Sequence, residues 1–220
     1  MSMIIVTGAS DGLGYQVAKT LHAKGKKVIG LSRTKSDLPI ETVITDLTKP
    51  DVLKESVKSL SKNADKLEAL INCAGVLSVE KIHELSVGEV ERVFSTNVTG
   101  PMLLTSLLME KIKKDGADIV NVASTVGTKA YENQASYGAS KWAMRGFSAN
   151  LQLELKKYPC RVISFCPGGF KTKLFQKATG VDNTSNSDSW MRAEDLANFI
   201  VQILDLPKNM EVSEVIISRK

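Results

Sequence analysis

Short runs of apolar and β-branched residues recur along the whole chain and predict its strands. They are residues 4–6, 27–31, 42–45, 69–72, 118–122, 161–165 and 212–218. Within each run the apolar residues are nearly continuous and do not alternate with polar ones. This pattern is typical of strands that are buried on both faces of a parallel sheet.

Longer segments with apolar residues at helical spacing separate most of these strands. Leu13, Val17 and Leu21 form one such series, and a second runs from Val98 to Ile112. An alternation of strands and helices predicts an α/β fold with a doubly wound parallel sheet of about seven strands. Because both faces of such a sheet are covered by helices, we expect a three-layer architecture.

Composition is that of an ordinary globular protein. The 220 residues are 43% apolar and 24% charged, with 15 Gly and 6 Pro, which excludes disordered and low-complexity classes. Neither a linker nor a repeat interrupts the sequence, so we expect one domain over residues 1–220. No apolar run reaches the roughly 18 residues of a membrane helix, and the chain enters its first strand without a charged leader.

The charge and the cysteines further restrict the class of protein to which this chain can belong. The net charge of +5 comes from scattered lysines and not from the clusters of arginine and aromatic residues that nucleic-acid binding requires. The three cysteines have no metal-site spacing and are too few for a disulfide framework. We therefore expect a cytoplasmic protein that acts on a small molecule, without metal, membrane or nucleic acid.

A glycine-rich turn follows the first strand and precedes a helical pattern. Its sequence runs from Thr7 to Gly14 and includes Gly8, Ser10, Asp11, Gly12, Leu13 and Gly14. Glycines at these positions allow a tight turn and a close approach of the backbone to a diphosphate, which the helix start favours electrostatically. A glycine-rich turn in this strand–helix context predicts a dinucleotide site.

The glycine spacing and six further motifs resemble the short-chain dehydrogenase/reductase family, classical type. In chain order the further motifs are Asp46-Leu47, Asn72-Cys73-Ala74-Gly75, Asn97-Val98-Thr99-Gly100, Ser124, Tyr137-Gly-Ala-Ser-Lys141 and Pro167-Gly168. The resemblance covers nearly the whole chain and implies a Rossmann-like fold. It also implies that Asp46 and Leu47 contact the adenine, and that Ala74 and Gly75 let the backbone pass close to the cofactor.

The resemblance assigns further cofactor contacts. The Pro167-Gly168 turn is expected to lie against the nicotinamide carboxamide, with Thr172 as an additional contact. Asn72 belongs to the motif after the fourth strand, mainly as a residue that stabilises the sheet. Cys73 stands where the family more often has a second Asn, a change that we expect to be tolerated.

The end of the second strand carries Ser32 and Arg33 and no carboxylate. A carboxylate at this position binds the ribose 2′-hydroxyl of NAD, whereas an arginine accommodates the 2′-phosphate of NADP. We therefore favour NADP(H), with NAD(H) possible. Asp11 counts against this preference, because many NADPH-using relatives have a basic residue there.

Tyr137 and Lys141 are four residues apart, so on a helix both side chains lie on one face. A nearby ammonium and the positive nicotinamide ring favour the phenolate, so we expect the pKa of Tyr137 to lie below its usual value near ~10. Ser124 closes the fifth predicted strand, where its hydroxyl can hold a carbonyl oxygen while Tyr137 transfers the proton. With Asn97, expected to hold a water near Lys141, these residues reproduce the catalytic tetrad of the family.

Each member of the tetrad also has a structural interpretation. Tyr137 and Lys141 taken alone match an exposed helical pair, Ser124 a turn cap, and Asn97 the N-cap of a helix that starts at Val98. The presence of all four after a cofactor motif favours the catalytic interpretation.

Substrate identity does not follow from the sequence. We expect two variable loops, 127–133 and 173–192, to determine it, and within the second loop, residues 178–189 are either a surface loop or a mobile lid. Leu174, Phe175, Val181, Trp190 and Met191 fit either a partly apolar pocket or loop anchors, while Lys173, Asp188 and Arg192 fit a charged substrate.

The predicted function is NADP(H)-dependent reduction of a ketone or aldehyde to an alcohol, or the reverse reaction. The alternatives are reduction of 3-oxoacyl chains on an acidic carrier protein and a non-catalytic NADP(H)-binding sensor. By resemblance we expect a homodimer or homotetramer that associates through the helices over residues 98–114 and 135–157.

Overall fold

A computed structural model describes residues 2–61, 65–182 and 190–220. Within them, one parallel sheet has seven strands in the order β3-β2-β1-β4-β5-β6-β7. The strands are β1 Ser2–Thr7, β2 Lys27–Ser32, β3 Glu41–Ile44, β4 Lys66–Asn72, β5 Asp118–Val122, β6 Val162–Pro167 and β7 Glu214–Ile217. Every predicted strand is present, and the doubly wound fold is confirmed.

Helices connect the strands and cover both faces of the sheet. They are α1 Gly12–Ala23, α2 Pro50–Ser61, α3 Val87–Phe94, α4 Gly100–Asp115, α5 Ala135–Leu155, α6 Lys173–Thr179 and α7 Ala193–Leu204. Among these described helices, none is long and apolar enough to cross a membrane.

Two apolar cores bind the helices to the sheet. One face packs α1 and α7 over the sheet through residues such as Val17, Leu21 and Ile200. The opposite face packs α2, α4 and α5 through residues such as Leu53, Leu108 and Leu155. These side chains are almost fully buried, and their removal from water is the main stabilising contribution to the three layers.

The strand order fixes where the loops meet. Strand β1 lies between β2 and β4, so the chain runs to one side of β1 first and to the other side afterwards. In open parallel sheets this reversal leaves a crevice outside the carboxyl ends of the strands. The predicted cofactor residues and Ser124 follow strands β1 to β6 at this edge, and Tyr137 and Lys141 lie on α5.

The region around α4 differs from the prediction. The predicted helix over 98–114 begins at Gly100, and a π-helical turn, Ser95–Thr99, joins α3 to α4. Asn97 lies in the middle of this turn and is therefore not an N-cap. Such turns insert an extra residue into a helix and are frequent at functional sites.

The segment 173–192 is only partly a loop. Thr172 caps α6 by accepting a hydrogen bond from the Leu174 amide, and Gly180 ends the helix in the left-handed region. The prediction of a loop is thus wrong for residues 173–179. Residues 183–189 lie outside the described part of the chain, and with them Asp188 and most of the proposed lid.

A buried ion cluster anchors the end of α7 to β5. Arg161 donates to both carboxylate oxygens of Asp118, at 3.2 and 2.7 Å, and to the carbonyl oxygens of Leu204 and Leu206, each at 3.1 Å. Lys208 also reaches Asp118, at 2.6 Å. Since Arg161 and Asp118 are buried, this cluster satisfies charges that would otherwise be costly.

Candidate functional site

The turn between β1 and α1 has the shape that a diphosphate requires. Gly8 has a φ of 71°, and a Cβ placed on it would lie 3.0 Å from the Cα of Ala74. A Cβ on Gly14 would lie 2.5 Å from the Gly8 carbonyl oxygen. Only glycine therefore permits the approach of α1 to β1, and the first residues of α1 line the cavity, where the positive end of the helix dipole favours an anion.

Thr7 fixes this turn to the neighbouring strand. Its hydroxyl accepts hydrogen bonds from the amides of Cys73 and Ala74, each at 3.0 Å. The ends of β1 and β4 are thereby joined at the crevice, which holds Ala74 and Gly75 against the cavity. The sequence shows Thr7 as part of the motif, and the structure explains its position.

The residues after β2 and β3 line the far end of the cavity. Arg33 is exposed there, beside Ser32, and the Ser32 hydroxyl donates to the Thr34 carbonyl at 2.7 Å. Asp46 accepts from the amide and hydroxyl of Thr48 at 2.9 and 2.8 Å. Burial acts to raise the pKa of Asp46, but these hydrogen bonds and the nearby Arg33 hold it below its usual value.

Ser124, Tyr137 and Lys141 meet at the centre of the cavity. Ser124 ends the segment after β5, accepts from the Val126 amide at 3.2 Å and donates to the Pro167 carbonyl at 3.3 Å. It is therefore both a turn cap and a cavity residue. Tyr137 and Lys141 lie one turn apart on α5, with the Lys141 Nζ 5.6 Å from the centre of the tyrosine ring, and all three residues are buried.

The pKa values at this centre depend mainly on burial. Burial raises the pKa of Tyr137 to about 12, although a hydrogen bond with Ser124 acts in the opposite direction. Burial also lowers the pKa of Lys141 to about 8. In the ligand-free protein the pKa of Tyr137 is therefore raised, because desolvation outweighs the hydrogen bond with Ser124; the lowered pKa expected from the sequence applies to the site with the nicotinamide ring present.

Asn97 lies behind the cavity wall. Its Oδ1 accepts from the Val76 amide at 2.8 Å, and its Nδ2 donates to the Val76 carbonyl at 2.9 Å and to Ser140 at 3.1 Å. A Cβ on Gly75 would lie 3.3 Å from this Oδ1 and 3.6 Å from the Lys141 Nζ. Asn97 and Lys141 are thus close together, separated by the space that Gly75 leaves open.

Asn72 does not line the cavity. Its Nδ2 donates to the Oδ1 of Asn121 on the neighbouring strand at 2.8 Å, within the buried sheet. The side chain is thus placed to stabilise the sheet, which is the main role expected from the sequence, and not to contact a ligand in the cavity. The side chain lies on the face of the sheet that α4 and α5 cover, where its Nδ2 also reaches the Thr105 hydroxyl on α4 at 3.4 Å.

Thr172 and α6 close the cavity opposite the glycine turn. A Cβ on Gly12 would lie 3.9 Å from the Thr172 Oγ1. From α6, Lys177 binds Asp11 at 2.9 Å, a partner that the sequence gave no reason to expect. Asp11 also accepts from the Gly12 amide, and although burial acts to raise its pKa, Lys177 and this amide hold the pKa below its usual value. A cation therefore does stand beside the phosphate turn, supplied by α6.

The C-terminal residues form part of the wall as well, and sequence reasoning missed them. The Gly168 amide donates to the Ile217 carbonyl at 2.7 Å, which places Ser218, Arg219 and Lys220 beside the Pro167-Gly168 turn. The guanidinium of Arg219 lies 4.3 Å from the ring centre of Trp190. Only the pairing of β7 with β6 brings this tail to the site, and no local motif indicates that pairing.

One cavity of about 1400 Å³ unites these residues. Small-ligand pockets are typically ~300–1000 Å³, so it has room for a dinucleotide together with a substrate. Of the residues predicted from the sequence, it is lined by Gly8, Ser10, Asp11, Gly12, Leu13, Gly14, Ser32, Arg33, Asp46, Leu47, Ala74, Gly75, Ser124, Tyr137, Lys141, Pro167, Gly168 and Thr172. Asn72 and Asn97 lie outside it.

Some of the candidate substrate residues line this cavity and others do not. Lys173, Leu174, Phe175 and Trp190 line this cavity. Val181 is exposed, Met191 lines only a smaller neighbouring cavity, and Arg192 pairs with Asp195. The predicted segment 127–133 contributes Lys129 and Tyr131.

Comparison with known proteins matches most of the chain. A family model described as short chain dehydrogenase matches residues 2–182. A protein of Staphylococcus aureus (strain MRSA252) named uncharacterized oxidoreductase is 27% identical over 222 residues, which cover 96% of this chain and 94% of that one. A similarly named protein of Staphylococcus saprophyticus is 28% identical over 225 residues, with the same coverage.

Solved structures have the same fold. A serine dehydrogenase complexed with NADP+ has a TM-score of 0.88 at 24% identity and covers 98% of this chain and 93% of its own. A 4-hydroxyisoleucine dehydrogenase complexed with NADH and succinate has a TM-score of 0.85 at 25% identity, covering 98% and 97%. The architecture around the cavity is thus one that occurs in nicotinamide-dependent dehydrogenases.

Proposed function

Because the chain belongs to the short chain dehydrogenase family, we propose that it is an NADP(H)-dependent oxidoreductase that reduces a ketone or aldehyde to an alcohol, or catalyses the reverse reaction. The observation that carries this proposal is the meeting of Ser124, Tyr137 and Lys141 in the same cavity as the glycine turn. A mere nucleotide sensor has no need of a buried serine, tyrosine and lysine beside its ligand.

The cavity fits a nicotinamide dinucleotide. The space left by Gly8 and Gly14 and the positive end of the α1 dipole suit its diphosphate, and the crevice between Gly75 and the Pro167-Gly168 turn suits the nicotinamide end. When bound, the cofactor supplies or accepts the hydride. The residues of this chain bind and orient the reactants and move the proton.

In the proposed reduction, the Ser124 hydroxyl donates its hydrogen bond to the substrate carbonyl in place of the Pro167 carbonyl, and the Tyr137 hydroxyl donates the proton to the substrate oxygen. A pKa of about 12 keeps Tyr137 protonated at neutral pH in the ligand-free cavity, which suits a general acid. Lys141, held by its hydrogen bond to the Val122 carbonyl at 2.9 Å, places a positive charge beside the phenolate that remains.

The decisive experiment removes one oxygen atom, that of the Tyr137 hydroxyl. Tyr137→Phe removes the proton donor without changing the volume of the ring, so consumption of NADPH with a panel of aldehydes, ketones and 3-oxoacyl thioesters should fall by at least a hundredfold. Tyr158→Phe is the matched control, since Tyr158 is exposed and remote from the cavity. NADPH binding, measured by fluorescence, should persist in both variants. Full turnover by Tyr137→Phe would refute the proposed mechanism, and binding without any turnover by the wild type would favour the sensor.

We propose NADP(H) over NAD(H) because Arg33 lines the cavity at the end of β2, where no carboxylate is available for a ribose 2′-hydroxyl. Arg33→Ser should lower kcat/KM for NADPH by about 10- to 100-fold, as expected for the loss of a charge-assisted hydrogen bond, and leave kcat/KM for NADH nearly unchanged. Lys35→Ser controls for net charge. Equal effects of Arg33→Ser on the two cofactors would contradict this preference.

We further propose a homo-oligomer that associates through α4 and α5. Met102, Leu103 and Leu107 on α4 and Trp142 on α5 are large apolar side chains that remain exposed in the single chain. Contact between such faces of two copies would bury them. Light scattering after size-exclusion chromatography should give a dimer or tetramer, and Leu107→Lys should shift the mass toward the monomer.

One domain over residues 1–220 and a cytoplasmic location complete the proposal. A single sheet joins strands from Ser2 to Ile217, and the cysteines are free thiols, as a reducing compartment favours. One cooperative unfolding transition and recovery of the protein in the cytosolic fraction are the expected observations.

A further inference from the structure

The cavity carries an excess of positive charge where a substrate would lie. Among the described residues, the carboxylates on its wall are Asp11 and Asp46. Both lie at the cofactor end and are occupied, Asp11 by Lys177 and Asp46 by Thr48. The described wall beyond the Pro167-Gly168 turn therefore contains cations without a carboxylate to balance them.

Arg219 is the best placed of these cations. A Cβ on Gly168 would lie 3.6 Å from the Arg219 amide nitrogen, so its backbone touches the turn at the expected nicotinamide position. Its guanidinium lies over Trp190, and the Trp190 ring in turn packs against Gly169, where an added Cβ would lie 2.5 Å away. Stacking on an aromatic face leaves the N–H donors of the guanidinium free at its edges.

Lys129 approaches from the other side. It belongs to the segment that joins Ser124 to α5, and its Nζ lies 5.4 Å from the ring centre of Tyr131. Neither Lys129 nor Arg219 forms an ion pair with any residue in the described ranges, although both line the cavity. Unpaired cations on a cavity wall raise the local concentration of anions and bind them.

The wall of this cavity also contributes apolar side chains. Leu77, Val126, Leu174 and Phe175 line the same cavity as Ser124 and Tyr137. A ligand that fits this distribution has a short apolar carbon chain, a carbonyl or hydroxyl at one end and a negative charge at the other.

We infer that the substrate is a carboxylate-bearing ketone, aldehyde or alcohol whose carboxylate binds Arg219, with Lys129 as the second cation. This inference rests on the proposed function and specifies its substrate class. The planar fork of an arginine matches a carboxylate with two parallel hydrogen bonds, which favours this anion.

The first experiment compares acids with their methyl esters. Short 2-, 3- and 4-oxo acids are assayed with NADPH against the corresponding esters, which keep the carbonyl and lose the charge. The wild type should have a kcat/KM for its best acid at least tenfold above that for the matched ester. Arg219→Met should lower kcat/KM for the acid by about 10- to 100-fold and leave the ester within about twofold. Arg219→Lys should retain an intermediate preference.

Two further variants separate local from general effects. Lys129→Met should lower kcat/KM for the acid by a smaller factor, because an ammonium binds carboxylate without the paired geometry of the fork. Lys157→Met removes the same charge from an exposed position outside the cavity and should change neither substrate.

A binding measurement tests the site independently of turnover. In a Trp142→Phe background Trp190 is the remaining tryptophan, since the chain has 2. Titration with 4-oxopentanoate in the presence of NADP+ should change its fluorescence with saturation, and Arg219→Met should weaken the apparent affinity at least tenfold.

The outcomes distinguish the two proposals. Equal or faster turnover of esters than of acids, with no effect of Arg219→Met, would overturn the carboxylate assignment and leave the reductase intact. A strong preference for phosphorylated aldehydes over both would likewise overturn it. Lack of NADPH oxidation with acids and esters alike would overturn the carboxylate assignment, whereas its lack with the whole panel of aldehydes, ketones and 3-oxoacyl thioesters, while NADPH still binds, would refute the reductase itself.

Discussion

Replacement of Lys141 by Met should stabilise the ligand-free protein while it abolishes turnover. Burial holds the pKa of Lys141 at about 8 instead of 10.5. At neutral pH the lysine is charged in both the folded and the unfolded state, so the folded state carries the full cost of a buried ammonium. The difference between these pKa values corresponds to about 3 kcal/mol. Loss of the hydrogen bond to the Val122 carbonyl offsets about 1 kcal/mol of this gain.

The net effect at pH 7 is a stabilisation of about 2 kcal/mol, or about 4 to 8 °C in Tm for a chain of this size. The pH dependence of this stabilisation follows from the direction in which folding shifts the pKa of Lys141. Above pH 8 the folded state releases the proton before the unfolded state does, so the wild type gains stability as pH rises toward 10.5. Between pH 7 and 9.5 the wild type should recover about 2 kcal/mol relative to Lys141→Met.

Thermal and urea denaturation of the apo protein at both pH values measures this difference. Lys157→Met is the matched control, because Lys157 is exposed and its replacement should change stability by less than about 0.5 kcal/mol at either pH. A Lys141→Met protein that is less stable than the wild type at pH 7, or a difference that is the same at pH 9.5, would refute the reasoning. Lys141→Gln, which retains a donor, should show the same pH trend.

Other positions give equally direct expectations. Arg161→Met should lower the free energy of unfolding by about 3 to 5 kcal/mol in urea titrations, because it leaves Asp118 buried without its main partner. Adding Asp118→Leu to this variant should restore part of the lost stability. Gly14→Ala should destabilise the protein by about 1 to 3 kcal/mol and weaken NADPH binding in fluorescence titrations, because its Cβ would lie 2.5 Å from the Gly8 carbonyl oxygen. Gly88→Ala, where a Cβ meets nothing within 4 Å, should instead raise stability by about 0.5 kcal/mol in the same assay, and a loss at Gly88 as large as that at Gly14 would contradict the steric argument.

Strands and the glycine turn were predictable because their causes are local. A buried strand such as β5, Asp118–Val122, needs continuous apolar residues, and the prediction gives its bounds. The turn at Gly8 needs a positive φ, which the residue type itself indicates.

The remaining features depend on contacts that are distant in sequence. The pairing of β7 with β6 brings Arg219 to the cavity, and the ion pair between Lys177 and Asp11 joins α6 to the first turn. The π-helical turn at Asn97 breaks the regular period on which helix prediction depends. The raised pKa of Tyr137 in the ligand-free cavity was not predictable either, since burial depends on the whole fold and not on the neighbouring residue of the helix.

The cavity wall also contains Cys73, and this position makes the thiol a natural reporter. Burial raises the pKa of Cys73 to about 12 and also raises those of Cys160 and Cys166, so at neutral pH the nucleophilic thiolate is scarce at all three cysteines. Alkylation is therefore slow at each of these thiols, and the buried Cys166 also requires the structure to open. Because Cys73 lines the cavity that we assign to the cofactor, occupancy there should slow its labelling relative to Cys160 and Cys166. Mass spectrometry of the peptides that contain the three cysteines would then report ligand binding through Cys73 and opening of the fold through Cys166. The experiment needs no engineered cysteine.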